Sequence, residues 1–272
     1  MKAHDDPAAA AGPPDDAVPR TGDVRTVLAA LGPDQDVLLR FTVTDQQQRQ
    51  AFATLGPHPL AVDVRQVAFF DTPDLALWRS GIVASARRIQ HGPAEISVRV
   101  RAAEPGAVVP GAAWSTSVEV DVDGTDAALT CVCSADAGAA DGRVKALLTG
   151  RLRLVEVLDD MQRRVWDRCV PSGLRPADLR VLGPVHVLSR RYFPGWYRRT
   201  LAAETWLLPG HAPVLDLAVH TTPAAACRLA VSTQRALTSR GVRLHALPRT
   251  APRSVFAALA AASRRGEGPQ RA

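Results

Sequence analysis

The strongest constraint on this chain is a period-two alternation of apolar and charged residues that recurs in segments far apart in the sequence. In the first of them Val37, Leu39, Phe41 and Val43 fall on one side, and Asp36, Leu38, Arg40 and Thr42 on the other. Ile96, Val98 and Val100 oppose Ser97, Arg99 and Arg101, while Val118 and Val120 oppose Ser117, Glu119 and Asp121. Leu215, Leu217 and Val219 oppose Asp216, Ala218 and His220. Successive side chains of an extended strand point to opposite faces, so each segment predicts a strand with one apolar and one polar side. The ordinary outcome is an antiparallel sheet with one face in the core and the other in water. Here the polar positions are mostly arginines and short acids, which sets this face apart from a merely solvated one.

If such a sheet closes into a barrel, the polar face becomes a lumen. Arginines enclosed there need acids, metal ions or a bound anion, because unpaired buried charge is costly. Phosphate suits them: a guanidinium fork matches two phosphate oxygens at once, in charge-assisted bonds. Carboxylates on the same face repel phosphate unless a divalent cation bridges the two, which makes Mg²⁺ or Mn²⁺ the expected third party.

Composition sets the outer bounds. A chain of 272 residues, 46% hydrophobic, can bury an ordinary core. Its 33 Lys and Arg against 27 acids favour anions in any diffuse attraction, although an Arg-, Ala- and Pro-rich composition accounts for part of that excess. Cys131, Cys133, Cys169 and Cys227 form no pair of C-x-x-C knuckles and read as reduced thiols without a zinc site. The seven histidines are scattered singly, and His186 and His220 read as plain strand residues. The first residues lack the apolar stretch of a signal peptide, and no segment has the uninterrupted apolar length of a membrane span, so a cytoplasmic protein without membrane contact is expected.

Residues 1–33, rich in Ala, Pro, Gly and Asp, read as a disordered leader, and 263–272 as a basic tail. Helical spacing appears at Asp45 to Leu55, Arg143 to Thr149 and Ala224 to Arg240, the last ending at Gly241. Gly106 to Gly111 reads as a loop. With no boundary in the middle, residues 34–262 form one α+β domain built on an antiparallel sheet.

The string Phe69-Phe70-Asp71-Thr72-Pro73-Asp74-Leu75-Ala76-Leu77, followed by Gly81 and Arg87-Arg88, resembles the CYTH, or triphosphate tunnel, family. The similarity continues through Val118 to Asp121, Val181 to Pro184, Ala203-Glu204 and Leu215 to Leu217. The resemblance implies a closed eight-stranded antiparallel tunnel with flanking helices, in which basic residues hold a triphosphate and glutamates hold Mg²⁺ or Mn²⁺. Members hydrolyse triphosphates or convert ATP to cyclic AMP. By the same resemblance Arg40, Arg87, Arg99 and Arg191, with Arg163 and Arg249 as weaker matches, are expected to contact phosphate. Asp36, Glu119, Asp121, Glu204 and Asp216 are expected at the metal-binding positions.

The family's E-x-E-x-K strand is degenerate here. Asp36-Val37-Leu38-Leu39-Arg40 keeps the outer charge signs, but Leu38 stands where a metal-binding glutamate belongs, and an aliphatic side chain cannot ligate a hard cation. Ser85, Ser97 and Ser189 stand at three basic positions. Two functions follow: a metal-dependent triphosphatase, with adenylate cyclase the lesser variant, or a catalytically degenerate tunnel that binds a triphosphate-bearing molecule, a polyphosphate or another anion. RNA binding through Tyr192, Phe193, Trp196 and Tyr197 is a third class, but aromatics at a Pro194-Gly195 turn more often form a hydrophobic corner than a stacking platform, so nucleic acid is not the expected partner.

Overall fold

The computed structural model describes residues 21–102, 115–123, 126–245 and 251–264. The alternating segments become strands β1 (Asp36–Val43), β2 (Ala61–Asp71), β3 (Ile82–Ile89), β4 (Ala94–Ala102), β5 (Ser115–Asp123), β6 (Asp126–Ala139), β7 (Arg180–Tyr192), β8 (Leu201–Leu207) and β9 (Val214–Thr221). They close into a barrel in the order β1-β5-β6-β4-β3-β2-β7-β8-β9.

The α+β class and the closure agree with expectation; the strand count and the pairing do not. There are nine strands among the described residues, and β1 runs parallel to β5, with Leu38 opposite Glu119 and Arg40 opposite Asp121. Every other neighbouring pair is antiparallel. The two departures have one cause. A ring with an odd number of strands cannot alternate throughout, so at least one adjacent pair must be parallel. The strand that alternation fails to mark is β6, where small or apolar residues occupy both faces from Ala127 to Cys133.

The apolar side of the sheet faces outward, beneath helices. Val37, Leu39, Phe41 and Val43 are each 0% exposed, covered in one cluster with residues of α1 (Thr21–Ala30), α2 (Gln48–Leu55) and α7 (Pro223–Thr238). A second cluster joins β3, β4 and β6 to α4 (Asp141–Leu148), α5 (Leu154–Val157) and α6 (Asp160–Cys169). Two more helices, α3 (Ala76–Arg79) and α8 (Ala251–Arg264), contribute Trp78, Val255, Phe256 and Leu259 to a third, with Phe69 and Val187.

Two expected boundaries shift. The leader assigned to 1–33 includes α1, whose Val24 and Leu28 are buried in the first cluster, so sparse large side chains suffice when they fall one turn apart. Residues 1–20 lie outside the described residues, as does the expected loop from Gly106 to Gly111. The expected tail from 263 begins inside α8, which runs to Arg264; its remainder is outside the described residues.

The string that carries the family resemblance is a capped turn. Asp71, 1% exposed, accepts hydrogen bonds from the backbone N–H groups of Thr72 (2.7 Å), Leu77 (2.8 Å) and Trp78 (2.9 Å). Thr72 Oγ1 accepts from the N–H of Ala76 at 2.8 Å. Together they hold the first turn of α3, whose amides have no partner within the helix. Gly81 then closes onto β4: its carbonyl accepts from the N–H of Arg101 at 2.7 Å, and a Cβ at its φ of +76° would lie 2.7 Å from the Arg101 carbonyl oxygen. The turn thus positions both Trp78 and Arg101. Replacing Asp71 by Ala leaves three buried donors unmet and is expected to destabilise the fold by about 2–3 kcal/mol. Urea denaturation measures this, and the near-ultraviolet circular dichroism of the tryptophans should change with it.

Candidate functional site

The polar side of the sheet encloses a cavity of about 870 Å³. Seven arginines and four carboxylates line it. Arg40, Arg87, Arg99 and Arg191 are among them, as are Glu119, Glu204 and Asp216, so strands far apart in sequence bring these residues to one space. Leu38, Ser85, Ser97 and Ser189 line it as well.

Other expected residues lie elsewhere. Arg163 sits on the outer face of α6 and is exposed. Asp159 caps that helix, and Gln162, Val165 and Trp166 occupy its inner side, with Gln162 Nε2 donating to the carbonyls of Ile96 (2.7 Å) and Ala135 (3.1 Å). The inner stripe being filled, Arg163 is turned to solvent. Arg249 lies outside the described residues. Asp36 stands apart from the other acids, beside His220, whose Nδ1 is 3.0 Å from its carboxylate. His220 itself lines the cavity and is no plain strand residue.

Three charged lining residues, Arg65, Glu95 and Arg199, pass unmarked in the sequence reading, and a fourth, Arg101, is placed there on a polar strand face without a role. Arg65 alternates with Val67 and Phe69 on β2, a polar residue in an apolar row that the period-two rule could have flagged. Arg101 follows Arg99 by two on the polar side of β4, and Glu95 precedes Ser97 by two. Arg199 lies between β7 and β8 and leaves no periodic signal.

The electrostatics centre on Arg40. It donates a hydrogen bond to Asp216, which also accepts from Thr42 Oγ1 at 3.1 Å, and Glu119 lies 3.7 Å away. Burial acts to lower the Arg40 pKa, but the carboxylates of Asp216, Glu119, Asp121 and Glu204 outweigh it and leave the pKa raised. Burial likewise raises Asp216 despite Arg40. Arg65 Nη1 bonds Glu204 at 2.8 Å, and Arg87 Nη2 bonds Glu95 at 2.7 Å. Across the lumen, Ser97 and Ser134 hydroxyls donate to Asp136, and Arg99 Nε donates to Ser97 at 3.2 Å. The Arg101 guanidinium stacks over Trp78, 4.3 Å from the ring centroid, and burial lowers its pKa. Among the described residues, no ion pair to a carboxylate joins Arg99, Arg101, Arg191 or Arg199.

The acids expected to hold Mg²⁺ or Mn²⁺ do not form a fitting donor set. Arg40 occupies the space between Asp216 and Glu119, Arg65 holds Glu204, and Asp36 is drawn to His220. Among the described residues no group of three His, Cys, Asp or Glu could hold a metal ion. Of the aromatics at the Pro194-Gly195 turn, Tyr192 is buried, Trp196 Nε1 donates to the Thr54 carbonyl at 2.8 Å, the Tyr197 hydroxyl bonds Thr233, and Phe193 is exposed. Among the described residues, no helix is long and apolar enough to cross a membrane.

A closed β tunnel with helices outside and a charged lumen defines a class of architecture, and comparison with solved structures gives it a name. A putative adenylyl cyclase from Hippeastrum, described as having a dominant triphosphatase activity, superposes with a TM-score of 0.57 over 84% of this chain and 95% of its own, at 13% identity. A putative adenylate cyclase from Bacillus halodurans gives 0.52 over 82% of this chain and 98% of its own, at 10% identity. No protein-family model and no curated protein matches the sequence. The fold is the CYTH, or triphosphate tunnel, fold, carried here with a degenerate E-x-E-x-K strand.

Two outcomes are expected of the charge network. Removing one member of a buried charge pair strands the other, so Arg40→Met should cost about 3–5 kcal/mol, and adding Asp216→Asn should recover part of that. Denaturant titration of the single and double variants checks both. Burial also raises Asp121 to about 7, with Arg40 opposing and Asp216 and Glu119 adding. The folded state therefore keeps this proton where the unfolded chain has lost it. Its contribution to stability is complete below about pH 4 and declines as pH rises towards about 7. Asp121→Asn should flatten that decline, with a residual slope of the same sign from Asp216, in unfolding curves recorded across the interval.

Proposed function

We propose that this protein binds a triphosphate-bearing or polyphosphate anion in its tunnel through arginines, without a divalent cation. The observation that carries this reading is the imbalance inside the cavity: Arg99, Arg101, Arg191 and Arg199 line it without an ion pair to a carboxylate among the described residues, Glu119 and Asp121 attracting Arg101 without pairing with it. Arg99 and Arg101 are half-buried and Arg191 and Arg199 exposed; guanidinium groups gathered along one cavity without matching carboxylates favour an anion, and phosphate oxygens satisfy their forked donors two at a time. The carboxylates that would otherwise repel phosphate are neutralised by Arg40, Arg65 and Arg87. Arginine takes the part a metal ion would play in screening them.

Metal-dependent triphosphate hydrolysis is the second reading, favoured by the activity described for the Hippeastrum protein. It is the weaker one here, because Leu38 lines the cavity opposite Glu119 where a further oxygen donor is needed. Adenylate cyclase activity has the same requirement.

The test is calorimetric titration with inorganic triphosphate in Mg²⁺ and in chelator, alongside measurement of phosphate and cyclic AMP release. Binding of similar affinity in both conditions and no metal-dependent release are expected; absence of binding in both overturns the reading. Arg99→Ser and Arg191→Ser should each weaken binding about tenfold or more, the loss of one charge-assisted contact. If the missing donor alone limits hydrolysis, Leu38→Glu should gain metal-dependent phosphate release, and such a gain would favour the second reading.

A further inference from the structure

Three large apolar side chains that stand in solvent gather where β2 begins and β7 ends. Leu60 is 66% exposed, Val62 55% and Phe193 56%. The Leu60 N–H donates to the Arg191 carbonyl at 2.6 Å, Val62 lies opposite Arg190 on the outer side of the barrel, and Phe193 comes directly after β7. Single exposed apolar residues are ordinary, whereas a cluster of them marks an interaction surface. Arginines surround this one. Arg191, Arg198 and Arg199 are exposed at the connection from β7 to β8, and the Arg190 guanidinium lies over the Phe52 ring of α2, 5.1 Å from its centroid. Arg240 of α7, stacked over Trp196 at 4.4 Å, continues the basic surface. Residues 46–62 and 179–203, which build this region, contain no Asp or Glu. The acids that follow each run, Asp63 and Glu204, both pair with the lumen residue Arg65, at 3.7 Å and 2.8 Å.

An excess of arginine attracts any polyanion, and the hydrocarbon selects among them. Nucleic-acid phosphates are reached through charged and hydrogen-bonding groups, and the aliphatic side chains of Leu60 and Val62 add nothing to such a contact. At a membrane surface both features have a use. Apolar side chains enter the boundary between headgroups and acyl chains, and arginines keep their charged ends among anionic headgroups while their stems rest in the apolar layer.

We propose that this face docks onto an anionic lipid surface, with Leu60, Val62 and Phe193 entering the headgroup boundary and Arg190, Arg198 and Arg199 meeting the lipid phosphates. The contact lies on the bilayer and does not cross it, so it needs no apolar run of spanning length. It is independent of what the tunnel holds, although Arg191 and Arg199, exposed and also lining the cavity, put an opening of the tunnel on the docked face.

The experiment sediments the full chain with vesicles of equal parts phosphatidylglycerol and phosphatidylcholine, and with vesicles of phosphatidylcholine alone. Binding to the anionic vesicles and little to the neutral ones is expected. Leu60→Ser and Phe193→Ser should each lower the partition coefficient about fivefold to tenfold, through the apolar area no longer buried. Arg198→Asn should lower it about fivefold; Arg198 has a φ of +54°, a left-handed conformation that asparagine tolerates. All three side chains are exposed, and unchanged circular dichroism spectra establish that the variants compared are folded. Absence of binding to anionic vesicles overturns the inference, as does equal binding to both vesicle types. Binding that both serine variants leave unchanged overturns it as well, since charge attraction alone would then account for it. A mixed-sequence single-stranded RNA that binds the chain and is not displaced by the anionic vesicles overturns it in favour of nucleic acid. None of these outcomes bears on the tunnel reading, which the triphosphate titration tests separately.

Discussion

Closing a sheet whose inner face is charged creates a debt that only the lumen itself can settle: every buried guanidinium must be met by a carboxylate, a dipole or something from outside. The arrangement around Arg40 shows how far the protein meets that demand internally. Its contacts with Asp216 and Glu119 tie β1 to β9 and β5, the two neighbours that complete the ring at that point. Arg65 with Glu204 links β2 to β8 across β7, and Arg87 with Glu95 links β3 to β4. The pairs are structural members of the barrel as much as parts of a binding site. What remains are Arg99, Arg101, Arg191 and Arg199, which line the cavity without an ion pair to a carboxylate among the described residues.

The same pairs bear on the carboxylates expected at metal-binding positions, which do not converge as a set of oxygen donors among the described residues. A divalent cation requires several oxygen donors free to converge on one point. Once Arg40 stands between Asp216 and Glu119, those oxygens are already turned towards a nitrogen donor. Leu38, opposite Glu119, offers no oxygen donor of its own.

Much of the architecture is legible in sequence because the barrel has two distinct faces. Val37, Leu39, Phe41 and Val43 read as one side of a strand and are buried under helices, while Arg40 on the other side reaches the lumen. The reading fails where that contrast is absent. β6 carries small apolar residues on both faces, so its alternation is silent, and with it goes the odd strand count and the parallel pair. α1 is masked by an Ala-rich composition although two side chains are enough to dock it. In the site, residues two apart on a strand are recoverable in principle, as with Arg99 and Arg101, whereas Arg199 depends on the path of a connection and Arg163 on which face of a helix is already filled. The pairing of each acid with an arginine is a matter of three-dimensional proximity that spacing alone does not encode.

The Asp71 turn bears on how such chains are recognised. Its carboxylate is spent entirely on amides of its own loop and of α3, away from any reacting group. Selection for a correctly placed helix and strand junction is enough to preserve the string around it, whatever happens to the residues that face the ligand. A lineage can therefore drift from catalysis to binding, or from one anion to another, while still displaying its most recognisable stretch of sequence. That stretch reports architecture; what a lumen of this kind can hold is set by the residues that face it.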